Sequence, residues 1–142
     1  MNLLRPIENL HYALGQIVYA IARADGEVQK EERQRLLNIV EAELKNENYN
    51  FDIASIIFQV MDKDHCNSVE DTYHLAMKQI RLNSHYLTPS LKTSFITLME
   101  KIAKAYPPVT LEELLLLDRF KKDIEPLHGD PLYYSKIMKI KK

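Results

Sequence analysis

The sequence predicts an all-α fold, and three observations support that prediction. Apolar residues recur at steps of three and four along most of the 142-residue chain, which is the spacing of one helix face. Only three glycines occur, and most of the six prolines stand where helices would begin or end. An apolar content of 46% argues against disorder. We expect one compact helical bundle, a single domain over residues 1–142, with about seven helices.

The first two helices are predicted to form a hairpin. The first runs from about Pro6 to Ala24, and Gly26 can take positive φ at little cost, which lets the chain reverse. Its apolar stripe consists of Ile7, Leu10, Leu14, Ile17, Val18 and Ile21. The second helix repeats the spacing with Leu36, Leu37, Val40 and Leu44.

Two further helices are expected in the middle of the chain. Asp52 caps a short third helix that is apolar nearly all round and is therefore expected to be central. Its residues include Ile53, Ile56, Ile57, Val60 and Met61. Ser68, with Asp71 three positions later, predicts the start of a fourth helix. Its expected inward face is Val69, Tyr73, Ala76, Met77 and Ile80.

Two clear start signals predict the fifth and sixth helices. Thr88 followed by Pro89 combines an N-cap with a proline in the first turn. The expected inward face is Leu91, Phe95, Leu98, Met99 and Ile102. Thr110 with Glu113 forms a capping box at the start of the sixth helix. We expect that helix to be lined by Leu111, Leu114, Leu115, Phe120 and Ile124.

After Pro126 and Gly129, the Asp130-Pro131 pair marks a boundary. A short docking helix is expected beyond it, with apolar residues Leu132, Tyr133, Ile137 and Met138.

An internal repeat relates the two ends of the chain. A shift of 81 positions sets Ala24 on Ala105, and equally sets Val28 on Val109, Glu31 on Glu112, Glu32 on Glu113 and Leu36 on Leu117. We therefore predict two related hairpins, at residues 6–45 and 89–125. The acidic loop Asp25-Gly26-Glu27 of the first hairpin becomes Tyr106-Pro107-Pro108 in the second.

Charge and cysteine content exclude several classes of function. The net charge is −1, with lysine and arginine scattered among acidic residues, so nucleic acid is not an expected partner. The single cysteine, Cys66, excludes an internal disulfide. No apolar run is long enough to span a bilayer and no early segment resembles a signal peptide, so a cytoplasmic protein without membrane insertion is expected.

The stretch from Ala22 to Glu32 is an Ala-Asp-Gly-acidic-Val turn followed by two glutamates. Together with the doubled helical hairpin around it, this stretch resembles the tellurite-resistance TerB-like family. The resemblance implies a compact helical fold, a bacterial cytoplasmic setting and an association with stress or metal-related systems. It also implies a metal role for junction carboxylates, which are here Asp25, Glu31 and Glu32, with Glu27 beside them. The second hairpin departs from that pattern at Tyr106-Pro107-Pro108.

The acidic junction has two interpretations. Asp25, Glu27, Glu31 and Glu32 supply the oxygen ligands that a divalent cation prefers. A true EF-hand is excluded, because alignment on Gly26 places Ile21 and Arg23 at the first and third ligand positions. Alternatively, the glutamates simply stabilise the positive end of the following helix.

Other clusters carry weaker signals. Asp62, Asp64, His65 and Cys66 lack the glycine and glutamate of a calcium loop and the paired spacing of a zinc site. Asp71 and His74 lie one helical turn apart, which an ion pair or a cap explains better than half of a di-iron motif. The isolated histidines, His11, His85 and His128, are expected to be packing or surface residues.

Cys66 has His65 beside it, but adjacent side chains rarely point at each other productively, and no phosphate-binding loop occurs. The sequence therefore predicts a protein that is not an enzyme and has no organic cofactor. We expect a non-catalytic TerB-like helical module that binds a partner protein or itself, as an interaction or stress-response accessory protein. The alternative is a divalent-cation-binding protein that uses the Asp25–Glu32 junction.

Overall fold

A computed structural model describes residues 4–24, 30–44, 56, 59–60, 63, 68–105 and 109–132. Within these ranges there are five α-helices and no β-strand, so the all-α prediction is confirmed. The helices are α1 (Leu4–Arg23), α2 (Lys30–Leu44), α3 (Val69–Leu82), α4 (Pro89–Ala103) and α5 (Leu111–Ile124), and a 3₁₀ turn spans Ser84–Tyr86.

The expected count of seven helices is not confirmed. Most of the predicted third helix falls outside the described residues. The residues that are described in that region, Ile56, Gln59, Val60 and Lys63, are helical, and Val60 is buried. The predicted last helix is described only at Pro131 and Leu132, both of which are helical.

Helix α1 lies at the centre of the described bundle and packs against α3, α4 and α5. Its apolar residues extend beyond one stripe, because Ala13, Tyr19 and Ala20 are buried together with the six residues of the predicted face. A helix that is apolar on most sides can contact neighbours all round, which explains its central position. Helix α2 packs on α4.

Three helices begin at the residues that the sequence indicates. The hydroxyls of Ser68, Thr88 and Thr110 each accept a hydrogen bond from the backbone N–H three residues later, at 3.0, 3.1 and 3.2 Å. At α5 the box is complete, since the Glu113 carboxylate also accepts from the Thr110 N–H. These bonds satisfy N–H groups that a helix start otherwise leaves unpaired.

The starts of α2 and α5 are related by the 81-residue offset. Helix α2 begins at Lys30 and α5 at Leu111. Burial follows the same offset at five pairs of equivalent apolar residues on α1 and α4, which are buried in both copies. The pairs are Leu10 and Leu91, Leu14 and Phe95, Ile17 and Leu98, Val18 and Met99, and Ile21 and Ile102.

The chain after α5 is attached to the bundle by polar contacts. The Lys92 ammonium donates to the carbonyls of Glu125 and Leu127, both at 2.9 Å. The Asp130 carboxylate pairs with the His85 ring at 3.2 Å, and the Asp130 N–H donates to the carbonyl of His85 at 2.9 Å.

None of the described helices combines the length and the apolar character that crossing a bilayer requires.

Candidate functional site

The predicted cation site lies mostly outside the described part of the chain. Asp25 and Glu27 are not among the described residues, and only the backbone of Glu31 is described, within α2. Glu32 is half-buried near the start of α2. Among the residues whose side chains are described, no three histidine, cysteine or acidic residues lie together as metal ligands would. The loop at Asp62, Asp64, His65 and Cys66 also falls outside the described residues.

Asp71 and His74 take part in a helix cap and an ion pair, as the sequence favoured, but the ion pair is not between these two residues. Asp71 donates its N–H to Ser68, while His74 pairs with Glu70 at 3.0 Å rather than with Asp71. Glu70 also accepts a 2.7 Å bond from Arg119 of α5. This bond is the main reason that the pKa of Glu70 is lowered and that of Arg119 is raised.

A second polar link between α3 and α5 lies one turn further along. The Tyr73 hydroxyl donates to the Asp123 carboxylate at 2.6 Å. The Arg119 guanidinium lies over the Tyr73 ring, 4.4 Å from its centroid. Burial, helped by the bond to Asp123, raises the pKa of Tyr73, so the phenol stays protonated. The network therefore fixes α3 against α5.

His11 is buried on α1. Its Nδ1–H donates to the carbonyl of Ile7 at 2.9 Å, and its ring meets Phe95 edge-on at 6.0 Å. Burial lowers the pKa of His11 to about 4, although the bond to Ile7 opposes that shift. The residue is neutral at pH 7 and serves in packing, as expected from the sequence.

The outer face of α5 carries three exposed leucines on its first two turns. Leu111 is 65% exposed, Leu114 45% and Leu115 61%. We call these three residues the α5 leucine surface. Single exposed apolar residues are ordinary, but a contiguous group of this kind is typical of an interaction site.

The sequence prediction for the inward face of this helix was therefore wrong for Leu111, Leu114 and Leu115. The residues that α5 buries are Glu113, Leu116, Leu117, Phe120 and Ile124. They recur at steps of three and four and form one complete stripe. Because four consecutive leucines occupy 114–117, apolar character alone did not identify the buried side.

An open pocket adjoins the α5 leucine surface, where the end of α1 and the start of α3 meet α5. Its volume is about 280 Å³, and it is lined by Ala24, Val69, Glu112, Leu115, Leu116 and Arg119. That volume is at the lower limit for small-molecule pockets, which usually run from about 300 to 1,000 Å³. An open apolar pocket of this size suits one inserted side chain of another protein better than an enclosed metabolite.

The wall of the pocket is fixed at its polar end. Arg119 is held there by Glu70, which accepts from its Nη1 atom at 2.7 Å, and Glu112 is exposed at the helix start. Sequence reasoning missed this site. The signal that could have found it is the complete stripe of buried α5 residues, which leaves the remaining leucines outside.

No protein-family model, no curated protein and no solved structure matches this chain.

Proposed function

We propose that the protein is a non-catalytic interaction module whose binding surface is the α5 leucine surface with its adjoining pocket. The single observation that supports the proposal is the exposure of Leu111, Leu114 and Leu115 next to one another, between 45% and 65%. Leaving this much leucine in water costs free energy that a bound protein would recover, at about 25 cal/mol per Å² of apolar area covered. The surface therefore favours a protein partner.

The pocket adds specificity to this apolar surface. A side chain that enters between Val69, Leu115 and Leu116 would be surrounded by apolar atoms. The exposed Glu112 at the edge would remain available to polar groups of the partner. An apolar anchor in a pocket with a polar rim is the usual anatomy of a binding hot spot. An amphipathic helix laid along α5 would present such an anchor.

Site-specific photo-crosslinking tests this proposal. A photoreactive phenylalanine analogue replaces Leu115 in one variant and Leu82 in a control, because Leu82 is 68% exposed but lies on α3 away from the pocket. After irradiation in the cells that produce the protein, we expect a discrete covalent adduct with a protein from position 115, several-fold above position 82. Equal labelling at both positions, or none at position 115, would overturn the proposal.

We also propose a TerB-like family membership, with a cytoplasmic, stress-related setting. The support is the Ala22–Glu32 motif together with the two hairpins offset by 81 residues. A direct role in tellurite resistance is not part of this proposal.

A further inference from the structure

The pocket beside the α5 leucine surface has an excess of negative charge. Of its described lining residues, two are charged, Glu112 and Arg119. The Arg119 guanidinium is already shared between two carboxylates, at 2.7 Å from Glu70 and 3.9 Å from Asp123. Glu112 is exposed and forms no ion pair with any residue that the structure describes. A cation on a partner would therefore find a carboxylate there without displacing Arg119.

The other charged side chains close to the pocket do not offset this excess. On the next turns of α5, the Lys122 ammonium lies 3.1 Å from the carboxylate of Asp118, so these two charges balance each other. On α1, Arg23 precedes the lining residue Ala24, but its guanidinium lies over the ring of Tyr19, one helical turn earlier, 5.2 Å from the ring centroid. The charge that a partner meets at the pocket is therefore negative.

We propose that this surface binds a cationic amphipathic helix of another protein, with one apolar side chain in the pocket and a lysine or arginine beside Glu112. This inference rests on the proposed function and names the chemistry of the partner. Glu112 lies one helical turn before Leu115 and Leu116, which line the pocket. A helix laid along α5 therefore brings its cation to Glu112 when the cation and the apolar anchor are also one turn apart. Its remaining apolar residues cover Leu111 and Leu114.

The same charge disfavours two other occupants of the surface. A second copy of the chain would contribute another Glu112 in place of the cation. A membrane with anionic lipids carries a negative surface potential, which repels a carboxylate and attracts basic segments. A basic helix is the occupant whose charge complements the pocket.

The size of the contact sets its strength. Stable complexes cover roughly 800 Å² on each partner, and three leucine side chains with a small pocket supply less. We therefore expect weak binding of a short segment, in which the charge pair changes the affinity by a factor that can be measured.

A matched pair of peptides tests this proposal. Both are fluorescein-labelled, alanine-based helices with a central leucine, which is flanked one turn away on each side by lysine in one peptide and by glutamate in the other. Fluorescence anisotropy with protein up to about 1 mM measures binding. We expect the lysine peptide to bind about fivefold more tightly, because attraction to Glu112 replaces repulsion.

Three variants locate the effect. Glu112→Gln should remove most of the preference for lysine. Glu41→Gln removes the same charge from an exposed position of α2 and should keep the preference. Leu115→Ala should weaken the binding of both peptides. A preference that survives in Glu112→Gln, or binding that Leu115→Ala leaves unchanged, would place the peptide elsewhere and contradict the proposal.

The remaining outcomes separate this inference from the proposed function. Equal binding of the two peptides would refute the charge preference and leave the leucine surface as an interaction site. If neither peptide binds, this inference fails, and the adduct at position 115 decides whether the proposed function stands. Flotation with vesicles of phosphatidylcholine and phosphatidylserine should leave the protein unbound. Vesicle binding that is lost in Leu115→Ala would assign the surface to a membrane and overturn the proposal.

Discussion

The hydroxyl of Tyr73 donates a 2.6 Å hydrogen bond to the carboxylate of Asp123 and thereby joins α3 to α5 across 50 residues of sequence. Arg119 covers the same ring from the α5 side. The bond holds α5 with its stripe of Leu116, Leu117, Phe120 and Ile124 towards the core, which leaves the leucine surface outside.

Removing this hydrogen bond should weaken the fold modestly. We expect Tyr73→Phe to lower the free energy of unfolding by about 1 kcal/mol, because the partly exposed Asp123 carboxylate can recover a bond from water. Urea titration measures the change. In an Asp123→Ala background the same substitution should have almost no effect, so an equal loss in both backgrounds would contradict the assignment.

The capping box at Thr110 gives a second prediction. Thr110→Ala should destabilise the protein by about 1 kcal/mol, since an N–H at the start of α5 loses its partner. Thr110→Ser keeps the hydroxyl and should retain most of the stability. Thermal melts of the two variants make the comparison, and equal losses for alanine and serine would show that the cap is not the cause.

His11 gives the protein a pH-dependent stability. Its pKa of about 4 in the fold lies below the value near 6.5 expected for an unfolded chain, so the unfolded state binds the proton more tightly. The stabilisation is complete above about pH 6.5 and decreases as the pH falls towards 4, by up to roughly 3 kcal/mol in total.

Unfolding measured at intervals between pH 7 and pH 4.5 tests this dependence. The slope should be reduced in His11→Gln, which cannot take up a proton. His128→Gln, at an exposed position, serves as the matched control and should keep the wild-type slope. An unchanged slope in His11→Gln would contradict the interpretation.

Divalent-cation binding at Asp25, Glu27, Glu31 and Glu32 stays a prediction from the sequence. If it is correct, an ion at one hundred times its dissociation constant should stabilise the fold by about 2.7 kcal/mol. Melting curves with calcium, magnesium, manganese and zinc measure the shift. Asp25→Ala should abolish it, while Glu41→Ala, an exposed position of α2, should not. No shift with any of the four ions would exclude the site.

The sequence predicted the starts of helices better than their orientation. Ser68, Thr88 and Thr110 were recognised as caps because a cap is a local signal within four residues. The inward face of α4 was also correct, since its large apolar residues recur at steps of three and four and form one stripe.

The candidate site was missed because its determinants are not local. On α5 the run Leu114–Leu117 places an apolar residue on every side, so only packing selects the buried face. The contacts of Arg119 with Glu70 and of Tyr73 with Asp123 join residues 49 and 50 positions apart. A single sequence contains no periodic signal for such pairs.

The orientation of α5 is the claim on which the proposed function depends, and matched alanine substitutions test it most directly. At a protein concentration low enough to keep the chain monomeric, Leu115→Ala should change the free energy of unfolding by no more than about 0.5 kcal/mol. Leu117→Ala, two residues later in the buried stripe, should cost about 2–5 kcal/mol because it leaves a cavity. A larger loss at Leu115 than at Leu117 would mean that the leucines of the proposed surface face the core, and would contradict the account.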